Sequence, residues 1–433
     1  MIALRTWIAA LVVAAAAIGV PIRATAQETT TVEASQPLRA FLDCHQRGCD
    51  GNFFVDEIPY VRFTRDRMDA AVYLLVTALG TGAGGIQYTV TIAGQGPFVG
   101  RSDTLVTSVP PNSTADGRRR ELLRVFRLGL VRYLTSTSYA SRLSLAYDAP
   151  ASGEPSPTAV TRDPWDSWIY RISANGNFGG ESQSRNSRFS SSLSARRVTH
   201  DWKVTVGASG SYRESNYTFN DGTSSSYALR TYSSAFRLVR SVSSHWSAGV
   251  ASEAGSTDFA NQKLFARANL SAEYNFFPWA DATKNQVVAI YSLGVQHYRY
   301  FEQTIYFLDR ETRPSHQLVL AATTRQPWGS FDVQARMSQY LHDGSKQNLS
   351  ISGFTDLRLS RGFSLNLSAY VSQVRDQLYL AAGTRSRDEV LTQQRALQTS
   401  YQYNVFLGLS YTFGSIFNSI VNPRLDYSGG IFF

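Results

Sequence analysis

The sequence predicts a mainly β fold: an antiparallel transmembrane β-barrel of about twelve strands, preceded by a small α+β periplasmic domain. Three observations predict it. From residue 168 onward, apolar and polar residues alternate in long stretches, the period of a strand with one apolar and one polar face. The connections between these stretches alternate between short and long, the asymmetry expected of turns on one side of a membrane and loops on the other. The first 26 residues read as an export leader.

Within that leader, Arg5 precedes an apolar run from Trp7 to Val20, and Ala24-Thr25-Ala26 is a small-residue cleavage site before Gln27. No cysteine stands at a lipidation position, so the run reads as a secretory signal peptide rather than an anchor. The expected organisation is a signal peptide over 1–26, a periplasmic domain over 27–147, a linker over 148–164 (rich in Pro, Ser and Ala) and an outer-membrane barrel over 165–433. Hydrophobic content of 43 % and mean hydropathy of −0.21 exclude a polytopic helical membrane protein. A barrel escapes a hydropathy scan because half of its residues face a polar lumen.

Residues 27–40 are polar and read as a loose leader to the domain. The only cysteines, Cys44 and Cys49, follow, and in an oxidising compartment their simplest state is one small-loop disulfide. A metal site using Cys44, His45 and Cys49 is the alternative and lacks partner cysteines elsewhere; a redox pair would be expected at a C-x-x-C spacing. Val72, Leu74 and Val76 alternate, residues 81–85 (TGAGG) turn, and Tyr88, Val90 and Ile92 alternate back as a hairpin. Ser113-Thr114-Ala115-Asp116 caps a helix running to about Leu134, with Leu123, Phe126, Leu130 and Leu134 as its buried stripe. Arg118, Arg119, Arg120, Arg124, Arg127 and Arg132 fill its other positions, either as a solvated face or as a surface for anionic lipid or a periplasmic partner.

The barrel half opens with Trp168, Tyr170, Ile172, Ala174 and Phe178 on one face. Further strands are expected near 187–197, 202–213, 226–239, 245–255, 264–277, 286–301, 314–325, 330–340, 347–360, 362–375 and 401–413, an even total of twelve. The clearest is LFARANLSAEYNF, Leu264 to Phe276, whose even positions are apolar and whose odd positions include Arg267, Asn269, Ser271 and Glu273. Its apolar face ends in Tyr274 and Phe276, with Phe277 and Trp279 next, an aromatic cluster suited to a membrane interface. The closing strand is either 401–413, ending at Phe413, or the terminus 425–433, ending at Phe433.

With the barrel reading in place, the segments CHQRGCDGNFFVDEIPYVRFTRDR, LLVTALGTGAGG and SYTFGSIFNSIVNPR resemble an uncharacterised bacterial outer-membrane β-barrel family with a periplasmic N-terminal domain. The barrel half is loosely similar to salt-induced outer-membrane proteins. The resemblance implies an outer-membrane address in a Gram-negative bacterium and carries no activity, so no functional residue transfers.

Residue by residue, no catalytic, cofactor or metal site is expected. Barrel enzymes such as phospholipases need a His-x-Ser-Asn-Gly run, which is absent, and the histidines (His45, His200, His245, His297, His316, His342) are scattered; His297 is the one mild candidate. The informative residues are charges on the polar faces: Arg171, Arg196, Lys203, Arg267, Arg336 and Arg358 against Glu273, Asp332 and Asp356. They can knit the lumen shut by pairing, or line a narrow water path that favours anions. The net charge is +9, and only four of the 42 basic residues are lysines. The dispersal of those charges and the export leader argue against nucleic acid. The partners expected are outer-membrane lipids with anionic headgroups, the barrel-assembly machinery and a periplasmic or envelope protein. The function expected is a barrel anchoring its periplasmic domain, with an anion-favouring transport channel as the alternative and a lipid-directed enzyme behind both.

Overall fold

The computed structural model describes residues 37–144, 163–383 and 396–414, apart from residues 45, 47, 283 and 327. The leader 1–26, His45, most of the expected linker and the terminus 425–433 lie outside the described residues.

The N-terminal unit comprises β1 (Leu38–Cys44), α1 (Gly51–Glu57), β2 (Val61–Phe63), β3 (Val72–Gly80), β4 (Ile86–Gly94), β5 (Ser102–Val109) and α2 (Ala115–Leu134). Its sheet runs β2-β1-β3-β4-β5, with β1 parallel to both neighbours and the other pairs antiparallel. The expected hairpin is β3–β4. The helix begins where its cap predicts: the Thr114 hydroxyl accepts from the Gly117 N–H at 3.0 Å. Leu123, Phe126, Leu130 and Leu134 are buried as the spacing requires, joined by Leu122, Val125 and Tyr133. Gly129 lets this helix lie against β4, since a Cβ there would stand 1.9 Å from the Ile92 Cδ1. The disulfide is formed, Cys44 to Cys49. It ties the end of β1 to the start of α1, whose cap is Asp50.

Two elements correct the sequence reading. Residues 38–40, expected to be loose, are strand, and β5 was not anticipated. β1 gains its order from non-local parallel pairing, such as Leu42 with Leu74, which leaves no local turn signal.

The second sheet has twelve antiparallel strands in strict chain order. They are β6 (Trp168–Gly180), β7 (Ser184–Val198), β8 (Trp202–Thr218), β9 (Ser224–Ser241), β10 (Trp246–Thr257), β11 (Gln262–Asn275), β12 (Asn285–Tyr300), β13 (Arg310–Gln326), β14 (Gly329–Tyr340), β15 (Gln347–Ser360), β16 (Phe363–Val374) and β17 (Tyr401–Tyr411). Among the described residues β6 and β17 are its two edges.

The strands β8 and β9 run longer than expected, so the anticipated loop 214–225 shrinks to 219–223. The strand β13 begins four residues before the expected 314 and runs through Pro314. The Pro314 carbonyl accepts from Leu341 N, just past the end of β14, so the missing N–H falls at the end of that ladder, where only one hydrogen bond is lost.

The register sorts side chains onto two faces. One face carries Ile172, Leu193, Val206, Phe236, Leu270, Leu293, Leu320, Ile351 and Leu407. It is uncovered: Ile172 is 82 % exposed, Leu270 65 % and Leu407 62 %. Trp168, Tyr170, Trp202, Trp246, Tyr274, Phe331, Phe363 and Tyr411 gather at the end of this face nearest the N-terminal unit. The opposite face is polar. The sheet curls around it, because the β16–β17 loop reaches the β10–β11 turn, where Ala396 N donates to Phe259 O at 3.0 Å.

Candidate functional site

The candidate site is the inner, polar face of the twelve-stranded sheet together with its two ends. Ladder pairing places Arg171, Arg188, Arg196, Lys203, Arg213, Arg237, Arg267, Arg313, Arg325, Arg336 and Arg358 on this face, against Glu253, Glu273, Glu311, Asp332 and Asp356. All nine charges expected to face the lumen therefore share one face. They do not form one cluster.

Lys203, Arg267, Glu273 and Arg336 line a cavity of about 1250 Å³ that runs along strands β8 to β14. Asp201, Arg237, Glu253 and Asp376 join them there. Arg267 and Glu253 pair at 3.5 Å. Arg237 and Arg336 make no ion pair among the described residues, so two guanidinium groups face the cavity without a carboxylate against them. Asp332 accepts from the Thr323 hydroxyl at 2.7 Å and stands 3.5 Å from Arg325. Arg171, Arg196 and Asp356 make no ion pair among the described residues.

Arg358 is the correction. It does not line the cavity but leaves the sheet to hold the N-terminal unit. Its guanidinium donates twice to Asp43, at 2.5 and 2.8 Å, and lies 5.3 Å from the centre of the Phe41 ring. Asp43 is 5 % exposed and also accepts from the Tyr73 hydroxyl. Tyr73 stacks on Phe41 at 5.9 Å. Burial, then the Asp43 charge and hydrogen bond, hold that phenol well above the usual tyrosine value. Beside this lock, Arg361 binds Asp69 at 2.6 and 2.7 Å, Gly362 N donates to Asp66 at 2.8 Å, and Arg65 donates to Gly414 O at 3.3 Å. On the other flank, a Cβ on Gly82, in the β3–β4 turn, would meet Val198. The N-terminal unit thus touches the end of β7 and the end of the sheet formed by β15 to β17, spanning that end.

The far end is covered by loops. Phe265, Tyr298 and Tyr300 form a buried cluster on the inner face, and Tyr379 of the β16–β17 loop packs against it. The Arg267 guanidinium lies 4.9 Å from the Phe265 ring centre and 5.8 Å from that of Tyr298. The Tyr298 hydroxyl donates to Gln296 and meets the Tyr340 hydroxyl at 3.3 Å, while Tyr300 donates to Glu311 at 2.5 Å.

The sequence expected none of these aromatic residues as site residues. The only trace of them is Phe265, an aromatic residue on the otherwise polar odd face of β11. The alternation of β12 places His297 on the outward face, with its ring nitrogen 2.7 Å from the Thr312 hydroxyl.

The arginines of α2 are occupied. Arg119 pairs with Asp50 and Asp116, Arg120 with Asp116, Arg124 with Glu121, Arg127 with Glu57 and Arg132 with Asp103. Hydrogen bonds from Arg120 and then Arg119 hold the Asp116 carboxyl below the usual range. Arg118 donates instead to the Ser113 carbonyl, so the face is largely, though not wholly, offset within its own unit.

No protein-family model matches the chain, and no curated protein matches it in sequence, so neither comparison supports the likeness of the barrel half to salt-induced outer-membrane proteins. Among solved structures, the chain is similar to the NanC porin at 9 % identity and a TM-score of 0.27, over 56 % of this chain and 99 % of that one. It is similar to the CymD monoaromatic hydrocarbon channel at 11 % identity and a TM-score of 0.28, over 56 % of this chain and 78 % of that one.

Proposed function

We propose that this chain is an outer-membrane β-barrel whose basic lumen is a narrow passage favouring anions, with the N-terminal unit seated on its periplasmic end. The observation that carries the reading is the division of the twelve strands into two faces. The outward face is apolar, uncovered and rimmed by aromatic rings, which suits hydrocarbon bounded by lipid headgroups. The inner face carries a cavity with charges of both signs, including two arginines, Arg237 and Arg336, that make no ion pair among the described residues. The cavity charges balance, but the inner face as a whole carries more cations than anions, which lowers the barrier for anions relative to cations. The leader, the barrel-assembly machinery and the periplasmic placement of residues 27–147 belong to the same reading.

Anchoring of the N-terminal unit is a second reading, favoured by the buried Arg358–Asp43 lock. The two separate in a planar bilayer. The full chain should give brief conductance steps that are anion-selective, and Arg237→Gln with Arg336→Gln should move the reversal potential toward cation preference. Silence from a barrel whose folding is confirmed by heat-modifiable gel mobility would leave the anchor reading alone.

A further inference from the structure

We infer that the described part of the β16–β17 loop is a strap that shuts the outer end of the lumen, with Tyr379 as its wedge and Asn261 as its clasp. The inference deepens the passage reading and rests on it. Three loops from strands far apart in the ladder meet at this end. Asn261, in the β10–β11 turn, has φ of 56°, the left-handed region that asparagine tolerates better than most residues. Its amide donates to Glu302 O at 2.8 Å and to Tyr379 O at 3.3 Å, and its carbonyl accepts from Glu302 N at 2.8 Å. One side chain thus joins the β10–β11 turn, the β12–β13 loop and the strap.

The strap is further stitched to the β12–β13 loop by backbone. Ile305 N donates to Leu380 O and Ala382 N to Gln303 O, each at 2.8 Å, around an antiparallel bridge between Thr304 and Ala381. Leu378 and Leu380 are 4 % and 3 % exposed. Loop residues so well buried belong to a closure rather than to a solvated loop tip. Tyr379 then reaches the inner cluster of Phe265, Tyr298 and Tyr300, and it lines one end of the same cavity that Lys203 and Arg336 line. A solute moving along that cavity meets Tyr379 before it meets the outside.

The hydrogen bonds of Asn261 and of the Thr304–Ala381 bridge are neutral and, like the ring contacts, individually weak in water, so the strap can lift without unfolding the sheet. Asn261→Gly keeps the left-handed backbone free of strain and removes all three side-chain hydrogen bonds, while Tyr379→Ala removes the wedge.

The test uses the full chain and two readouts. In a Ser292→Cys background, where residue 292 lines the cavity, labelling by a membrane-impermeant thiol reagent added from the outer side reports strap opening directly. Asn261→Gly and Tyr379→Ala should each speed labelling by about tenfold and raise the open fraction in a planar bilayer in step. Separately, Thr304→Cys with Ala381→Cys places two thiols at a bridge position, where Cα atoms stand about 4.5–5.5 Å apart and a disulfide can form. Oxidation should abolish conductance and reduction restore it, with wild type carried through the same treatment. Oxidised and reduced forms that conduct alike, or labelling and conductance unchanged in both single variants, overturn the strap. Faster labelling with silence in every bilayer upholds the strap and overturns the passage reading.

Discussion

Replacing Arg358 by Met should release the N-terminal unit from the barrel far more readily than replacing Arg361, its neighbour on the same rim. Asp43 is 5 % exposed and receives two charge-assisted hydrogen bonds from Arg358. Breaking a buried pair from one side typically costs about 3–5 kcal/mol, because the remaining charge keeps its burial and loses its partner. The Arg358 side chain is itself 22 % exposed, so water can reach the vacated site, and about 2–3 kcal/mol is the fitting range. That is about a 30- to 150-fold shift of the docking equilibrium. Arg361 is 59 % exposed and its pair with Asp69 falls among surface bridges worth at most about 1 kcal/mol. Spin labels at Leu128→Cys, on the exposed side of α2, and Val242→Cys, in the β9–β10 turn, report docked and released distances by pulsed EPR across a urea series. A cycle with Asp43→Asn should show strong coupling to Arg358→Met. Equal release from the two arginine variants, or additivity in the cycle, would refute the claim that this lock holds the unit.

Two further outcomes follow from the same geometry. The raised Tyr73 phenol keeps its proton in the fold above the pH at which an unfolded chain loses it, so its contribution to the N-terminal unit is complete below about pH 10 and is lost as pH rises beyond it. Urea midpoints measured from pH 8 to 11 should fall in wild type above about pH 10, and Tyr73→Phe should flatten that fall. On the sheet, Leu270→Arg sets a charge on the uncovered face at mid-strand and should cost about 2–4 kcal/mol of folding into vesicles, read from heat-modifiable mobility against urea; Asn269→Arg, one residue away on the polar face, should cost little, and equal costs would mean that the two faces are misassigned.

The twelve strands were legible because each carries its own period-2 pattern, and antiparallel neighbours in chain order need no further information. Even the nine inner charges could be placed from parity alone. What could not be read was anything decided by non-local contact. The strand β1 owes its order to two parallel partners more than twenty residues downstream, as in the Leu38–Val61 and Ala40–Val72 pairs that frame it. Arg358 has the parity of a lumen charge, and only the docking of Asp43 above it turns it into a rim contact. Tyr379 sits in a loop with no periodicity at all, and its role depends on Phe265 and Tyr298, which lie about a hundred residues upstream in the chain.

The two ends of the inner face are held by different chemistry, and that difference bears on what each can do. At the inner end the contacts are Arg358–Asp43 and Arg361–Asp69, charges whose strength in the low-dielectric interface is large and whose exposed members weaken with salt. Such a joint suits a part that stays in place. At the outer end Asn261, Tyr379 and the Thr304–Ala381 bridge supply neutral hydrogen bonds and aromatic packing, each worth little against water. Opening there exposes rings and amides, which water tolerates, whereas opening the inner end strands the Asp43 carboxylate. If the lumen opens at all in its native cycle, the strap is the end that can afford to move first, and the N-terminal unit is the fixed wall against which the passage is built.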